Sequence, residues 1–183
     1  MRIVGGSNRG RALVAPKGEG TRPTTDRTRE TIFNILAHNH ADALAGRVLD
    51  LFAGTGALGL EALSRGADFA LFVEERTEAR AALRTNIAAH GALGRTRVWR
   101  RDATRLGPCT LPPFSLILCD PPYGKTLGEK ALAGCRANGW ATDGAMAVLE
   151  ERRDALPETI DGWELIDRRG MGETEVGFFT RAS

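Results

Sequence analysis

The chain of 183 residues is 42% hydrophobic and 26% charged, with a formal net charge of +2, values that fit one ordinary soluble domain with a core of its own. So small a net charge does not announce a nucleic-acid partner. Cys109, Cys119 and Cys135, odd in number and without close Cys or His neighbours, argue against a disulfide framework and a zinc site. No signal peptide or long apolar segment stands out, so a cytoplasmic protein that does not meet a membrane is expected.

Taken in order, Arg2-Ile3-Val4 and Arg11-Ala12-Leu13-Val14 around Gly5-Gly6 predict a small β-hairpin within an N-terminal extension, residues 1–20. The first thirty residues carry Arg2, Arg9, Arg11, Lys17, Arg22, Arg27 and Arg29 against Glu19, Asp26 and Glu30. This local basic excess suits either a phosphate-contacting surface or a solvated face. Residues 18–25 read as a loop, whose end Arg22-Pro23-Thr24-Thr25 is polar, stiffened and placed to line a cleft. Asp26 is the expected N-cap of a helix with Ile32, Phe33, Ile35 and Leu36 at helical spacing. His38, His40 and His90 are expected at the surface.

The main sheet begins at residues 47–52, where Val48-Leu49 and Leu51-Phe52 flank Asp50. Ala53-Gly54-Thr55-Gly56 then leads into a helix that carries Gly59 in its first turn. A strand, a Gly-rich turn and a helix form a nucleotide-type loop in which glycine permits close backbone approach to a ligand, although any tight strand-to-helix turn uses glycine. Phe69 to Val73 is a second buried strand ending at Glu74, about twenty residues beyond the turn, where an acid can accept from both hydroxyls of a ribose. Glu75 is the neighbouring acid; Glu74 is preferred because it lies directly at the strand end. A helix follows from Glu78 to His90 and a third strand from Thr96 to Trp99. Asp102-Ala103 after that strand is placed either to reach the amine of an adenine or to cap a helix.

The apolar run Leu116-Ile117-Leu118-Cys119 ends abruptly in Asp120-Pro121-Pro122-Tyr123-Gly124. It reads as a buried parallel strand that the prolines stop, because neither can donate a ladder hydrogen bond. Asp120 is thereby presented at a strand end, where open α/β sheets bind ligands. A carboxylate beside a backbone carbonyl matches the two N–H donors of a planar amine, and Tyr123 offers a flat face for a base. A plain Pro-Pro turn with a capping Asp is the other reading. A helix from Leu127 to Ala137, a fifth strand from Ala145 to Leu149 ending in Glu150-Glu151, and strands at Trp163 to Arg168 and Glu175 to Thr180 complete the chain. The last two are joined too closely to be anything but antiparallel.

With the Gly turn, Glu74, Asp102 and the Asp-Pro-Pro-Tyr strand end in this order, the sequence resembles the class I S-adenosylmethionine-dependent methyltransferases that modify amines. LDLFAGTGALGLEAL resembles their cofactor loop and DPPY their signature for transfer to an exocyclic amine. RIVGGSNRGRAL and RPTTDRTRETIFNIL narrow the resemblance to the RsmD family of 16S ribosomal RNA guanine-N2 methyltransferases. It covers essentially the whole chain. The expected fold is therefore α/β and Rossmann-like, one domain with a mostly parallel seven-stranded sheet, an antiparallel C-terminal hairpin and the small N-terminal hairpin.

The resemblance implies that Asp50, Ala53, Gly54, Thr55 and Gly56 hold the methionine end of S-adenosylmethionine, Glu74 its ribose, and Asp102 with Ala103 its adenine. Thr24 and Arg29 help to close the methionine side. Asp120, Pro121, Pro122 and Tyr123 form the reaction centre, no metal is required, and S-adenosylhomocysteine leaves as product. Arg9, Arg11 and Arg22 contact the 16S ribosomal RNA, within an assembling small subunit or free, and nothing demands more than a monomer. Asn8 and the tail from Gly170 to Phe179 depart from the family pattern. An adenine-6-amine methyltransferase shares the Asp-Pro-Pro-Tyr chemistry. A non-catalytic RNA-binding module with a vestigial pocket shares the fold, and an NAD-dependent dehydrogenase shares the Gly turn but does not explain Asp120 to Tyr123.

Overall fold

The computed structural model of the protein describes residues 1–16 and 24–182. Five helices, α1 (Asp26–Asn39), α2 (Ala41–Ala45), α3 (Ala57–Ser64), α4 (Thr77–Ala89) and α5 (Leu127–Ala137), accompany eight strands. The strands are β1 (Arg47–Leu51), β2 (Phe69–Val73), β3 (Thr96–Trp99), β4 (Phe114–Cys119), β5 (Ala141–Arg152), β6 (Thr159–Ile160), β7 (Trp163–Met171) and β8 (Thr174–Arg181). They form one sheet in the order β3-β2-β1-β4-β5-β8-β7-β6. The first five are parallel and the last three antiparallel. Seven strands are expected from the sequence. The eighth, β6, is a two-residue rung beside Trp163 and Glu164 with no apolar run to announce it.

The central strands read as continuous apolar runs because both faces are covered. Val48, Ala70, Phe72, Leu116 and Leu118 point into a core with Phe33, Leu36, Leu60 and Leu83. Leu49, Leu71, Val73, Ile117 and Cys119 point into the opposite core with Leu132, Trp140 and Trp163. Both indoles satisfy their N–H on a carbonyl, Trp140 on Gly107 and Trp163 on Leu132, each at 2.8 Å. β5 runs well beyond the expected apolar stretch because its first residues, Ala141 to Gly144, are partly or fully exposed. Thr25, not Asp26, caps α1: its hydroxyl accepts from Thr28 N–H at 3.1 Å. Asp26 stands in the first turn and pairs instead with Arg29.

The N-terminal segment is not the regular pair of strands expected. One antiparallel bridge, Arg2 with Ala12, and flanking bonds from Ile3 N–H to Arg11 and from Leu13 N–H to Met1 close its base. Further out the backbone bonds turn away from each other onto the body of the protein. Val4 and Gly5 donate to the carboxylate of Glu61 at 2.9 and 3.0 Å, and Asn8 N–H donates to the Ser64 hydroxyl at 2.9 Å. Gly6, at φ +76, leaves no room for a Cβ, which would lie 1.9 Å from the Ser64 carbonyl oxygen. His90, expected at the surface, is buried under this segment with Nε2 3.0 Å from the Ala12 oxygen. Residues 17–23, with Lys17 and with Arg22 and Pro23 of the expected loop, lie outside the described residues.

Candidate active site

A cavity of about 490 Å³ opens at the carboxyl ends of β1, β2 and β4, the edge at which parallel strands present their side chains to ligands. The loop after β1 forms its floor. Phe52, Gly54 and Gly56 all take positive φ, 54°, 57° and 84°, so the chain reverses within five residues before α3 starts. Asp50, Ala53, Gly54, Thr55, Glu74, Asp102, Asp120, Pro121, Pro122, Tyr123 and Thr24 all line the cavity. Gly56, Ala103 and Arg29 do not.

The glycines act differently from the expectation. A Cβ on Gly56 would meet Leu83 Cδ1 at 2.3 Å and one on Gly59 would meet Phe72 Cε1 at 2.4 Å, whereas one on Gly54 would meet nothing within 4 Å. Gly56 and Gly59 therefore let α3 pack closely against β2 and α4, and Gly54 alone among the three leaves bare backbone toward the cavity. Asp50 is 1% exposed, and its Oδ2 accepts from Gly59 N–H at 2.9 Å, capping α3 from the preceding strand. Burial pushes its carboxyl well above the usual range. The Gly59 hydrogen bond opposes that shift, and the charges of Asp120 and Glu74 add to it.

Glu74 is nearly buried at the end of β2. Its two oxygens accept from Gly54 N–H at 2.9 Å and Arg76 N–H at 3.0 Å, which locks the carboxylate against the Gly turn. Glu75, one residue on, also lines the cavity but is exposed. The Asp102 carboxylate makes an Asx turn, accepting from both N–H and hydroxyl of Thr104 at 2.9 and 2.7 Å, and these bonds hold it below its usual range. Thr24 reaches across from the loop before α1: its hydroxyl lies 2.5 Å from Asp120 Oδ2 and 3.1 Å from Glu150 Oε2. Arg29 holds it there from behind. Fully buried, Arg29 donates to the Thr24 carbonyl at 2.8 Å, to the Arg2 carbonyl and to Asp26, with Glu61 at 3.8 Å from its Nε.

Residues to which the sequence reading gave no functional role also contribute. Glu150 binds the Tyr123 hydroxyl at 2.8 Å, and Phe52, Arg76, Thr104 and Leu127 complete the wall with Met1, Ala15 and Pro16. Glu150 had one visible signal, its place at a strand end beside that of β4. Arg9 and Arg11 lie away from the cavity. Their segment packs against the far ends of α3 and α4, where Asn8 Nδ2 donates to the His90 carbonyl and Arg11 to that of Ala89. Among the described residues no three His, Cys, Asp or Glu side chains are grouped to hold a metal ion.

The family model described as Conserved hypothetical protein 95 matches residues 1–180. The chain is also 38% identical over 182 residues to ribosomal RNA small subunit methyltransferase D of Escherichia coli K12, covering 99% of this chain and 90% of the relative. The chain belongs to the RsmD family. It is a methyltransferase. The Haemophilus influenzae relative of the same name is 32% identical, over 94% of this chain and 89% of its own length. The solved structure of yhhF from Escherichia coli superposes on this RsmD-family fold with a TM-score of 0.82 and 36% identity, covering 99% and 97% of the two chains. A hypothetical protein from Thermus thermophilus superposes with a TM-score of 0.77 at 32% identity, over 100% and 99%.

Acid dominates the lining of the RsmD-family cavity: Asp50, Glu74, Glu75, Asp102 and Asp120 stand against Arg76, the one cationic side chain among its described residues. This charge suits S-adenosylmethionine, which carries a sulfonium and an ammonium. It disfavours the pyrophosphate of a dinucleotide, whose usual place at a helix N-terminus is here occupied by the carboxylate of Asp50.

Proposed function

We propose that this protein methylates the exocyclic 2-amine of a guanine in small-subunit ribosomal RNA, using S-adenosylmethionine, and works in the cytoplasm as a monomer. The observation that carries this reading is Asp120 at the end of β4, bordering the acidic cavity with Pro121 and Tyr123 around it. Asp50 and the Ala53-Gly54-Thr55 backbone hold the methionine end of the cofactor, Glu74 the ribose and Asp102 the adenine. Bound there, the cofactor supplies an electrophilic methyl group.

The chain's own task is to make a poor nucleophile attack. The lone pair of the guanine amine is delocalised into its ring, so positioning and electrostatics supply most of the acceleration. Asp120 and the Pro121 carbonyl accept the two amine hydrogens and Tyr123 stacks on a base taken out of its surroundings. The carboxylate also stabilises the positive charge that grows on nitrogen as the bond forms. The relatives named ribosomal RNA small subunit methyltransferase D support this substrate. The basic segment with Arg9 and Arg11, together with Arg22, is read as the RNA-contacting surface.

Asp120→Ala is expected to abolish methyl transfer while leaving S-adenosylmethionine affinity nearly intact. Measured turnover by this variant at the wild-type rate overturns the assignment. Nucleoside analysis of the methylated RNA separates 2-methylguanine from 6-methyladenine and so tests the base.

A further inference from the structure

Two acids stand in succession near the end of β5, and they do different work. Glu151 Oε1 accepts from Gly124 N–H at 3.0 Å and from its neighbour Arg152 N–H at 2.7 Å, which ties down the turn that follows Tyr123. Glu150 faces the reaction centre. The register of β4 with β5 pairs Cys119 with Leu149, so Asp120, where the chain leaves β4, comes next to Glu150, which is still in β5. Glu150 is 3% exposed, and each of its oxygens meets a hydroxyl from the cavity wall: Oε1 that of Tyr123 at 2.8 Å, Oε2 that of Thr24 at 3.1 Å. The Thr24 hydroxyl is also 2.5 Å from Asp120 Oδ2. Thr24 itself is 4% exposed.

A threonine hydroxyl carries one hydrogen and can donate it to one carboxylate at a time. Here two carboxylates stand within reach of it, one being the acceptor for the substrate amine. We infer that Glu150 is a positioning residue of the reaction centre: it fixes the plane of the Tyr123 ring and takes over the Thr24 hydrogen when an amine claims Asp120 Oδ2. The inference rests on the amine-acceptor role of Asp120. Before substrate binds, the short Thr24 contact orients the Asp120 carboxylate. On arrival of the amine, rotation of the hydroxyl moves its hydrogen bond from Asp120 to Glu150, so Oδ2 is released without leaving the buried threonine unbonded. No covalent bond is made or broken in this exchange. Tyr123 is held through its hydroxyl throughout, and its ring meets the base already oriented, which lowers the cost of ordering it.

The test is a kinetic series on the full chain with small-subunit ribosomal RNA and S-adenosylmethionine. Tyr123→Phe keeps the stacking ring and removes the hydroxyl that donates to Glu150. It is expected to lower kcat roughly tenfold or more, the scale of losses from misplaced reacting groups, with S-adenosylmethionine affinity by calorimetry unchanged. Glu150→Gln is expected to do the same, and the Tyr123→Phe, Glu150→Gln double variant to fall no further than the slower single one, because the Tyr123–Glu150 linkage is already cut by either change. Thr24→Val is expected to lower kcat and Thr24→Ser to restore it. Wild-type kcat in Tyr123→Phe, or losses in the double variant that multiply, overturns the inference. Tyr123→Phe decides even if Glu150→Gln does not fold. Asp120→Ala separates the two levels: full turnover by that variant removes the amine-acceptor reading itself, whereas an inactive Asp120→Ala beside a fully active Tyr123→Phe removes only the role of Glu150.

Discussion

Removing the Glu61 carboxylate should detach the N-terminal segment and destabilise the fold together. Glu61 is fully buried on α3, accepts from Val4 and Gly5 N–H at 2.9 and 3.0 Å, pairs with Arg65 at 3.0 Å and lies 3.8 Å from the buried Arg29. Glu61→Ala strips two backbone donors of a charged acceptor, a loss of about 1.5–3 kcal/mol each if taken singly, and leaves the Arg29 guanidinium with less compensation. Breaking a buried pair from one side costs about 3–5 kcal/mol. These contributions share one side chain and do not add, so about 4 kcal/mol is expected for the whole. For a chain of this size that lowers the thermal midpoint by roughly 10 °C. Urea denaturation reads the first number and a thermal melt the second, and hydrogen exchange at Val4 and Gly5 should accelerate beyond the global change. A Glu61→Ala protein within about 1 kcal/mol of wild type, with Val4 and Gly5 still protected, refutes the reasoning.

Gly59→Ala places a Cβ 2.4 Å from Phe72 Cε1 and 3.0 Å from Asp50 Oδ2, and should cost about 1–3 kcal/mol by overpacking, read from its denaturation midpoint. Asp50 gives a pH signature. Its folded-state proton affinity is raised by burial, so the stability this proton contributes is complete below the ordinary carboxylate range and is lost as pH rises through the folded value. Asp50→Asn has no such proton to lose, and its stability relative to wild type should climb with pH above about 4; a difference that is flat with pH counts against the assignment. Replacing Arg9 and Arg11 together should weaken RNA binding and flatten its salt slope by roughly one for each phosphate no longer neutralised, with S-adenosylmethionine affinity unchanged. An unaltered slope moves the RNA surface elsewhere.

What was legible in the sequence was whatever repeats locally. Phe69–Val73, Thr96–Trp99 and Leu127–Ala137 match their expected bounds; the first is an apolar run with a clear stop, as a buried strand shows, and the last carries the buried seam of a helix. Glu74 and Asp120 were legible for the same reason, since each ends such a run. Pairings between distant segments were not. The glycines at 56 and 59 look like ligand-contacting positions until Leu83 and Phe72 are seen against them. His90 looks polar and terminal, yet Ala12, far back in the chain, covers it. Thr25 and Asp26 are both good caps, and only the position of the Thr28 N–H chooses between them. Glu150 joins Tyr123 and Thr24 over 27 and 126 residues, distances at which a sequence pattern carries no sign of pairing.

The anchoring of the N-terminal segment also sets an order in time. Its bonds run forward to Glu61, Ser64, Asn86 and His90, over separations of 56 to 82 residues. During synthesis the arginines at 2, 9 and 11 therefore emerge well before their partners and are fastened only when residues 61 to 90 have been made. At about 5–20 residues per second that is an interval of roughly 4–16 s, in which a basic strand hangs unpaired beside the ribosome's own RNA. In refolding, where all residues are present at once, the same long loops must close before the N terminus is held, which places its docking among the slow, late events.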